Sequence, residues 1–455
     1  MSYTIAAIST PAGAAGLGVV RLSGDDAIAV AAQLFRPIDA ARPLSSLKGY
    51  TAAYGHVFDA DGDMDDCVAL VFRAPHSYTG EDVVELSCHG GRYILQRVLR
   101  ACFAAGAKPA AAGEFTRRAF LSGKMDLSAA ESVMDLIAAE GKLAAQTALT
   151  AREGGIYRRL VSVKEDLLEV AAQFSAYIDY PDEDIPDLEP SALGNVIHTS
   201  IETVENLLST YDAGRILREG IDTAIVGRPN VGKSTLMNLL SGCERSIVTD
   251  IAGTTRDVVE ETVRLGDVIL RLADTAGLRD TADVVENVGV TRARARMEQA
   301  ALVLAVFDGS EPLTAEDKAL AETLQGRAAI AVINKADKPL AMDTDWVSAH
   351  FAHTVTLSAK EESGVDALTA AVAAVTGIER LDAAQPVLST ERQRQCAADC
   401  LACLRQAQEA LAVGFTLDAV SVSVDGAINA LLELTGERAT EAVVEQVFAR
   451  FCVGK

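Results

Sequence analysis

The segment GRPNVGKS, residues 227–234, restricts the fold of this chain more than any other stretch, because it matches the phosphate-binding pattern G-x-x-x-x-G-K-[ST]. An apolar run, Thr223–Val226, precedes it and the helix-like STLMNLL follows. The glycines let backbone N–H groups curl around phosphates at the start of a helix. We expect Lys233 to neutralise the β and γ phosphates and the Ser234 hydroxyl to ligate Mg²⁺. The segment therefore predicts a strand–loop–helix unit in a parallel α/β domain.

Three further motifs follow in a fixed order, each after an apolar run typical of a strand. Asp274 in DTAG is predicted to be the second acid on the Mg²⁺ side, and the Gly277 N–H to reach the γ phosphate. In NKAD, Asp337 can accept hydrogen bonds from guanine N1–H and its exocyclic amine, so the site should select GTP over ATP. SAK, residues 358–360, is predicted to close over the base. One such motif alone is an ordinary turn, but four in this order indicate a Ras-like P-loop GTPase domain.

The stretch TDIAGTTRD, residues 249–257, predicts a switch segment. Thr255 is placed to ligate Mg²⁺ and to sense the γ phosphate, so the segment is expected to order when GTP binds. The residue after DTAG is Leu278, where many GTPases have a Gln that orients the attacking water. Leu278 cannot form that hydrogen bond, so another group must hold the water. The predicted GTP-binding residues are Asn230, Val231, Gly232, Lys233, Ser234, Thr235, Thr249, Asp250, Ile251, Ala252, Gly253, Thr254, Thr255, Asp274, Thr275, Ala276, Gly277, Asn334, Lys335, Asp337, Ser358, Ala359 and Lys360.

Charge and composition limit the partners of the chain. Its 455 residues carry a formal net charge of −23, whereas a protein that binds nucleic acid by itself usually shows a basic face. No apolar run is long enough to span a bilayer, and the first residues lack a basic region before an apolar stretch. We therefore expect a cytoplasmic protein without stable membrane insertion.

Three of the eight cysteines stand close together in the sequence. Cys396, Cys400 and Cys403 have C-x3-C-x2-C spacing, which fits a set of iron–sulfur ligands. The same steps of four and three place all three on one face of a helix, where free cysteine packs well in a core. We favour the second interpretation.

The pattern along the chain predicts a multidomain fold that combines the α/β and α+β classes. Residues 1–118 mix short strand-like runs with one helix near Arg92–Ala104, which indicates an α+β domain. Residues 119–216 and 381–455 are helical, whereas residues 217–380 alternate strands with helices. Helical segments on both sides of the α/β segment favour one discontinuous helical domain into which the GTPase domain is inserted.

Two helices are predicted between the N-terminal domain and the GTPase domain. One has an apolar face that recurs at steps of three and four, formed by Leu160, Val163, Leu167, Val170 and Phe174. The other is a helical stretch near Ser191–Leu217. The proline- and acid-rich residues 180–190 between them predict a solvated loop.

Together these motifs resemble a known family. GRPNVGKST, GTTRD, DTAGLRD, NKAD and SAK are similar to the GTPase domain of the bacterial and mitochondrial tRNA-modification GTPases of the MnmE (TrmE) family. PHSYTGEDVVELSCHGG, GEFTRRAFLSGKMDLSAAE, IDYPDEDI and the terminal FCVGK resemble that family's other signatures, so the resemblance covers essentially the whole chain. It implies an N-terminal folate-binding and dimerisation domain, a discontinuous helical domain and an inserted GTPase domain.

The resemblance also implies a function. Members of the family form homodimers and act with a flavin-dependent partner, MnmG (GidA), in a heterotetramer-type complex. They attach a carboxymethylaminomethyl or aminomethyl group to C5 of the wobble uridine of certain tRNAs, with a one-carbon unit from a tetrahydrofolate derivative (5-formyl or methylene form). GTP hydrolysis is expected to open and close the GTPase domains. Binding of tRNA mainly through the complex would agree with the acidic charge of the chain.

For the missing Gln, the resemblance implies a K⁺ ion and a Glu beyond the DTAG loop. Asn230 matches the side-chain ligand of K⁺, and Thr249, Ile251 and Thr254 match the loop whose backbone carbonyls complete the shell. A monovalent cation near the bridging oxygens stabilises charge as an arginine finger does. Glu286 matches the Glu that orients the water and is, with Lys233, a predicted catalytic residue; the alternative is a solvated acid at a helix start.

The resemblance further implies a folate site. Arg21, Glu81, Lys124 and Lys455 match the family's binding positions; the cations suit the carboxylates of the ligand, and Glu81 suits the donors of a pterin-like ring. Residues 11–18 are rich in Ala where the family usually has a loop rich in Pro, Gly and Arg, so the resemblance does not carry over the backbone or Arg contacts of that loop, whereas Arg21 remains.

Cys452 matches the family's C-terminal cysteine. It is predicted to be either a catalytic thiol or a partly packed residue at the end of an amphipathic helix. Two other functions stay open at this point. One is a GTP-dependent binding switch in ribosome assembly, whose members carry a second GTPase domain or an RNA-binding GXXG module. The other is a stand-alone folate enzyme with a GTPase regulator. The chain has one P-loop and no basic GXXG segment near its end, which favours tRNA modification.

Overall fold

The computed structural model describes residues 3–179, 190–242, 261–272, 297–414 and 417–455. The contacts between residues divide the chain into two compact units. The first unit consists of Met1–Met134, Arg152–Lys164 and Ile428–Lys455. The second unit consists of Asp135–Ala151 and Glu165–Ala427.

A mostly antiparallel sheet forms the centre of the first unit. Within the described residues its strand order is β3-β4-β5-β6-β2-β1-β7, and only the β1–β7 pair is parallel. Buried and exposed residues alternate along most of β6, as expected for a strand with one face on a core. This sheet confirms the predicted α+β class. The strands are β1 (Ile5–Ile8), β2 (Ala15–Ser23), β3 (Phe35–Pro37), β4 (Thr51–Asp59), β5 (Gly62–Phe72), β6 (Val83–Gly90) and β7 (Lys108–Pro109).

Helices cover both faces of this sheet. Helices α1 (Ala27–Ala32) and α2 (Arg92–Ala104) share the larger core cluster with the strands. The bounds of α2 are those predicted from the sequence. On the other face, Phe115 of α3 (Glu114–Leu121) packs against Ile5 of β1. The apolar faces of these helices therefore bury the sheet from two sides.

The C-terminal residues belong to the first unit. Phe448, at the end of α15 (Glu441–Phe448), and Phe451 pack against Leu127 at the start of α4 (Leu127–Ala138). The Thr440 side chain accepts a hydrogen bond from the Val443 N–H and so begins α15. The end of the chain is thus tied to residues more than three hundred positions earlier.

A mostly parallel sheet forms the centre of the second unit. Within the described residues its order is β13-β12-β11-β8-β10-β9, and only the β9–β10 hairpin is antiparallel. The central strands β11 and β12 are buried along their whole length, as is usual where helices cover both faces. The strands are β8 (Ile221–Val226), β9 (Glu261–Leu265), β10 (Val268–Leu272), β11 (Leu302–Asp308), β12 (Ala329–Asn334) and β13 (His353–Thr356).

Alternate residues of β11 point to two different clusters, which confirms a doubly wound P-loop fold. Leu304 and Val306 share a cluster with α9 (Lys233–Gly242) and α12 (Val365–Val375). Phe307 shares the opposite cluster with two further helices, α10 (Ala315–Thr323) and α11 (Thr344–His350).

Helices before and after this fold in the chain meet in the second unit. Helix α7 (Pro190–Leu208) packs along α13 (Glu391–Val413). Residues on either side of the GTPase segment therefore form one helical body, as predicted for a discontinuous domain. The predicted face of α6 is confirmed because its five apolar residues are buried. The boundaries at 118, 216 and 380 stay predictions.

No described helix combines the length and apolarity that a membrane crossing requires. The helices are α5 (Lys142–Arg152), α6 (Gly155–Asp179), α7 (Pro190–Leu208), α8 (Tyr211–Glu219), α13 (Glu391–Val413) and α14 (Leu417–Thr435).

The helical stretch expected near Ser191–Leu217 is interrupted. It forms α7 and α8 with a turn at Ser209 and Thr210. The Thr210 hydroxyl donates to the Leu207 carbonyl at 2.7 Å and accepts a hydrogen bond from the Leu388 N–H at 3.0 Å. The helix breaks there because Thr210 binds a distant segment, a contact that local periodicity does not encode.

Candidate functional site

The P-loop lies between the end of β8 and the start of α9, as its sequence predicts. Gly227 and Gly232 have φ values of 151° and 99°, and Asn230 has a φ of 64°. A Cβ at Gly227 would overlap the Val306 carbonyl, and one at Gly232 would overlap the side-chain amide of Asn334. The loop therefore needs glycine at both motif positions for steric reasons as well as for its dihedral angles.

Lys233 is held inside the P-loop. Its Nζ donates to the carbonyl oxygens of Gly227 and Arg228, both at 2.8 Å. Burial lowers the pKa of Lys233 from its ordinary value, because desolvation disfavours the ammonium. An anionic phosphate would offset that penalty, so the residue is suited to a phosphate. Ser234 and Thr235, in the first turn of α9, are exposed and can reach a metal or phosphate ligand.

Asn334 joins three of the predicted motifs. It is 2% exposed at the end of β12. Its Nδ2 donates to the Val231 carbonyl at 2.9 Å, and its Oδ1 accepts a hydrogen bond from the Ala359 N–H at 3.0 Å. The P-loop, NKAD and SAK are therefore brought together as the sequence predicts.

The other NKAD residues form the base end of the site. Lys335 Nζ donates to the Asn230 carbonyl at 2.8 Å and to Asp308 Oδ2 at 2.5 Å. Ser358 Oγ donates to Asp337 Oδ1 at 2.6 Å, and this hydrogen bond lowers the pKa of Asp337. The exposed Asp337 carboxylate is thus ionised at neutral pH, as an acceptor for two guanine donors must be. Lys360 is exposed beside it.

Asp308 is a site residue that the motifs did not predict. It ends β11, is 2% exposed, and binds Lys335 together with the backbone and hydroxyl of Ser310. Burial opposes ionisation of Asp308, but these donors lower its pKa overall. The available signal is an acid at the end of a fully apolar strand, next to Gly309 and Ser310.

Several predicted residues lie outside the described residues, so their predictions stay untested. Among the predicted ligands of K⁺, only Asn230 is described. The others outside are Thr249, Asp250, Ile251, Ala252, Gly253, Thr254, Thr255, Asp274, Thr275, Ala276, Gly277, Leu278 and Glu286.

A second group of predicted residues meets in the first unit. Arg21, on β2, binds Glu85 at 2.8 Å, and its guanidinium lies 5.9 Å from the Tyr78 ring centroid and 5.6 Å from that of Phe115. Its Nη1 donates to the Gly454 carbonyl at 3.5 Å. Arg21 is therefore next to the end of the chain.

Lys455 completes this cationic end of the group. Burial first, and then the positive charge of Arg21, lower the pKa of the Lys455 ammonium. Its backbone carbonyl accepts a hydrogen bond from the Phe115 N–H at 3.1 Å. Two neighbouring cations, one of them partly desolvated, fit an anionic ligand such as the carboxylates of a folate.

Glu81 and Lys124 lie on the same side of the first unit. Glu81 accepts a hydrogen bond from Ser23, two residues beyond Arg21 on β2, at 2.7 Å. Arg118 of α3 binds the Glu81 carboxylate at 2.9 Å. A Cβ at Gly80 would be 3.7 Å from the Lys124 side chain. The structure thus groups the predicted residues and adds Arg118, a partner that the sequence did not indicate.

The cysteine predictions have different outcomes. Cys396 and Cys400 are buried on α13, and burial raises the pKa of Cys400 to about 12. The burial of Cys396 and Cys400 on one helix fits the packing interpretation of the C-x3-C-x2-C spacing. Cys452 is exposed, and its carbonyl accepts a hydrogen bond from the Gly113 N–H at 3.3 Å.

Comparison with known proteins gives the family. The family descriptions "GTP-binding protein TrmE N-terminus" and "MnmE helical domain" match residues 4–124 and 127–452. A tRNA modification GTPase MnmE from Symbiobacterium thermophilum is 44% identical over 456 residues, which cover 99% of each chain. The chain belongs to the MnmE family of tRNA modification GTPases. Proteins of the same name from Chloroflexus aurantiacus (42% identical over 459 residues, 100% of each chain) and Levilactobacillus brevis (40% over 459 residues, 99% of this chain and 98% of the other) are also similar.

Membership of the MnmE family confirms the resemblance seen in the motifs and the predicted fold class. It agrees with a GTP hydrolase whose P-loop, NKAD and SAK segments meet in the second unit. The identity to tRNA modification GTPases over nearly the whole chain favours tRNA modification over the ribosome-assembly switch and the stand-alone folate enzyme.

Proposed function

We propose that this chain is a K⁺-stimulated GTPase that acts with the flavin-dependent MnmG (GidA) protein on certain tRNAs. The pair would install a carboxymethylaminomethyl or aminomethyl group at C5 of the wobble uridine, using a tetrahydrofolate one-carbon unit. The observation that carries the proposal is the P-loop, in which Lys233 is partly desolvated and contacts only backbone carbonyls among the described residues. The identity to tRNA modification GTPases over nearly the whole chain supports the tRNA substrate.

The GTPase reaction follows from the residues around the P-loop. Lys233 would neutralise charge on the β and γ phosphates, and Ser234 with Thr255 would hold a Mg²⁺ ion that supplies further positive charge to them. Asn230, with the backbone carbonyls of Thr249, Ile251 and Thr254, would hold K⁺, and the ion would supply positive charge that stabilises the transition state. Because Leu278 cannot orient water, Glu286 takes that role through its carboxylate.

The folate half of the proposal rests on the first unit. Arg21 and Lys455 would bind the carboxylates of the ligand, Lys124 would add a third cation, and Glu81 would accept hydrogen bonds from the ring. When bound, the folate supplies the one-carbon unit. The depressed pKa of Lys455 supports the fit, since an anion there would relieve the repulsion from Arg21.

The remaining parts concern assembly and location. We propose a homodimer formed through the N-terminal domain, a larger complex with MnmG that carries most of the tRNA contact, and a place in the cytoplasm. The net charge of −23 supports tRNA contact mainly through MnmG, because an acidic protein gains little affinity for RNA by itself. The exposed Cys452 is available for a chemical role near Lys455.

GTP hydrolysis in KCl and in NaCl at equal ionic strength tests the proposal. The wild type should be much faster in KCl. Asn230→Ala should lose the K⁺ stimulation, and Glu286→Ala should lower kcat by about 100-fold or more, since positioned proton-accepting groups contribute roughly 10²–10⁴-fold.

Two results would decide against the mechanism. Equal rates in both salts would remove K⁺ from it. A matched control, Asp283→Ala, removes a neighbouring acid and should keep the wild-type rate; an equal loss in Asp283→Ala and Glu286→Ala would show that local charge, and not Glu286, matters.

A further inference from the structure

Arg228, the second residue of GRPNVGKS, forms two ion pairs that the P-loop pattern does not require. Its Nη2 donates to Glu311 Oε2 at 2.6 Å, and its Nε lies 3.3 Å from Asp317 Oδ2. The Arg228 side chain is 17% exposed and that of Asp317 only 2%. The motif leaves this position free, so these pairs are a property of this chain's own residues.

The Asp317 carboxylate is held in place by its own helix. Asp317 lies in the first turn of α10 and completes a capping box with Thr314. The Thr314 N–H donates to Asp317 Oδ2 at 3.0 Å, and the Asp317 N–H donates to Thr314 Oγ1 at 3.3 Å. A carboxylate fixed by a helix start and a buried position is an anchor with little freedom to follow a moving loop.

The P-loop side connects the pair to the phosphate-binding lysine. The Arg228 carbonyl accepts one of the two backbone hydrogen bonds from Lys233, at 2.8 Å. The Gly227 carbonyl accepts the other, and a Cβ at Gly227 would overlap the Val306 carbonyl. A displacement of Arg228 would therefore move one of the two carbonyls that place the Lys233 ammonium.

Arg228 also changes the net charge close to the P-loop. Asp308, Glu311 and Asp317 all come from β11 and the residues after it, close to a loop that binds a highly negative ligand. Lys335 offsets the charge of Asp308, and Arg228 offsets one of the two negative charges on Glu311 and Asp317. Without Arg228, Glu311 and Asp317 would face the P-loop as uncompensated negative charges and would weaken phosphate binding.

We propose that Arg228 is a positioning residue of the GTP site, which anchors the first half of the P-loop to Glu311 and Asp317 and offsets one of their two negative charges. The inference rests on GTP binding at this P-loop and is independent of K⁺, folate and tRNA. It predicts a specific effect on nucleotide affinity, because Arg228 acts through Lys233 and through the local charge.

The test compares Arg228→Met, Arg228→Lys, Glu311→Gln and the double variant Arg228→Met/Glu311→Gln. The measurements are the affinity for a fluorescent GDP analogue and the KM and kcat for GTP. Arg228→Met should raise Kd and KM about tenfold, which corresponds to about 1.4 kcal/mol, with a smaller change in kcat. Arg228→Lys should recover part of the loss, because it keeps the charge but not the planar fork.

The double variant separates positioning and charge from general structure. Removing the Glu311 charge should recover about threefold of the affinity lost in Arg228→Met, whereas Glu311→Gln alone, which weakens one of the two ion pairs of Arg228, should raise Kd less than Arg228→Met does. A merely structural Arg228 would lower the melting temperature of the variants without this recovery. Arg218→Met, which breaks an ion pair with Asp135 (2.7 Å) in the same unit, is the matched control and should keep the wild-type affinity.

Three outcomes would overturn the proposal. A Kd within twofold of wild type in a folded Arg228→Met variant would do so, and so would the same affinity loss in Arg218→Met. If Arg228→Met does not fold, Arg228→Lys with and without Glu311→Gln gives the same comparison, and an unchanged KM in both would reject it. A wild type that binds no GTP would instead reject the proposed function itself.

Discussion

Asp337 is the residue on whose charge we expect guanine selection to depend. Ser358 donates to one oxygen of its carboxylate and lowers its pKa, so the acceptor is ionised over the physiological range. Asp337→Asn replaces that acceptor by an amide, which mismatches the two donors of guanine. We expect the affinity for GTP to fall by about 2–3 kcal/mol, or about 30- to 150-fold, and the affinity for xanthosine triphosphate to rise. Competition binding with the two nucleotides measures both changes.

The matched control for this change is Asp345→Asn, an exposed carboxylate in the first turn of α11. It should bind both nucleotides as the wild type does. If Asp337→Asn loses affinity for both nucleotides equally, Asp337 contributes general negative charge or folding, and the hydrogen-bond explanation is wrong.

At the residue scale, the sequence predicted the groups that face the ligand better than the groups behind them. Lys233, Asn334 and Ser358 follow from motifs whose spacing is fixed by the chemistry of the nucleotide, and the structure brings them together. Arg118 could not be predicted, because a salt-bridge partner is chosen by tertiary packing and leaves no periodic signal, whereas Asp308 left only the weak signal of an acid at the end of an apolar strand. The residues of the switch segment, of DTAG and Glu286 stay predictions.

The β9–β10 hairpin lies in the sequence between the predicted switch segment, residues 249–257, and the DTAG motif, residues 274–277. At its tip, Asp267 Oδ1 accepts a hydrogen bond from the Leu143 N–H, in the first turn of α5, at 3.1 Å. A Cβ at Gly141 would lie 3.0 Å from the same oxygen. Asp267 therefore acts as a helix cap supplied from outside the helix.

Asp267→Ala should destabilise the second unit by about 0.5–2 kcal/mol, because it leaves the first turn of α5 without this acceptor. Asp267→Asn keeps an acceptor oxygen and should lose less. Urea denaturation gives the free energy, and hydrogen exchange of the first α5 amides locates the effect. Equal exchange rates in all three proteins would mean that the contact does not stabilise α5.

At the element scale, long regular patterns predicted well and interruptions did not. The bounds of α2 were predicted correctly, because its apolar spacing and the flanking glycines are local features. The stretch Ser191–Leu217 was predicted as one helix, but Thr210 forms hydrogen bonds to Leu207 and Leu388 and breaks it. Such a break depends on a segment 178 residues away, so no window of the local sequence contains it.

At the scale of the whole molecule, the first unit is assembled from three separate stretches of chain. The hydrophobic periodicity of residues 381–455 predicted that they are helical, but it did not indicate which core they pack into. Phe448 and Phe451 pack on Leu127, which puts the chain's end into the unit that holds the N-terminal sheet. Bringing together stretches so far apart in the chain costs little extra conformational entropy, because the entropic cost of closing a loop grows only logarithmically with its length.

Gly454 is the residue on which this closure depends most sharply. Its φ is 99°, and a Cβ there would overlap the Ile8 carbonyl. Its own carbonyl accepts hydrogen bonds from Ser9 Oγ at 3.0 Å and from Arg21 at 3.5 Å. A side chain at this position must therefore push the terminal segment away from β1 and separate Lys455 from Arg21.

Gly454→Ala should therefore lose both stability and folate affinity. Gly106→Ala is the matched control, because Gly106 has a φ of 110° and nothing within 4 Å of the added Cβ, so it carries the dihedral strain without the overlap. We expect Gly454→Ala to lower the free energy of unfolding, measured by thermal unfolding, by about 1–3 kcal/mol more than Gly106→Ala does. Binding of 5-formyltetrahydrofolate should weaken only in Gly454→Ala. Equal losses in the two variants would assign the effect to dihedral strain, whereas lost stability with unchanged folate binding would place Lys455 outside the ligand site.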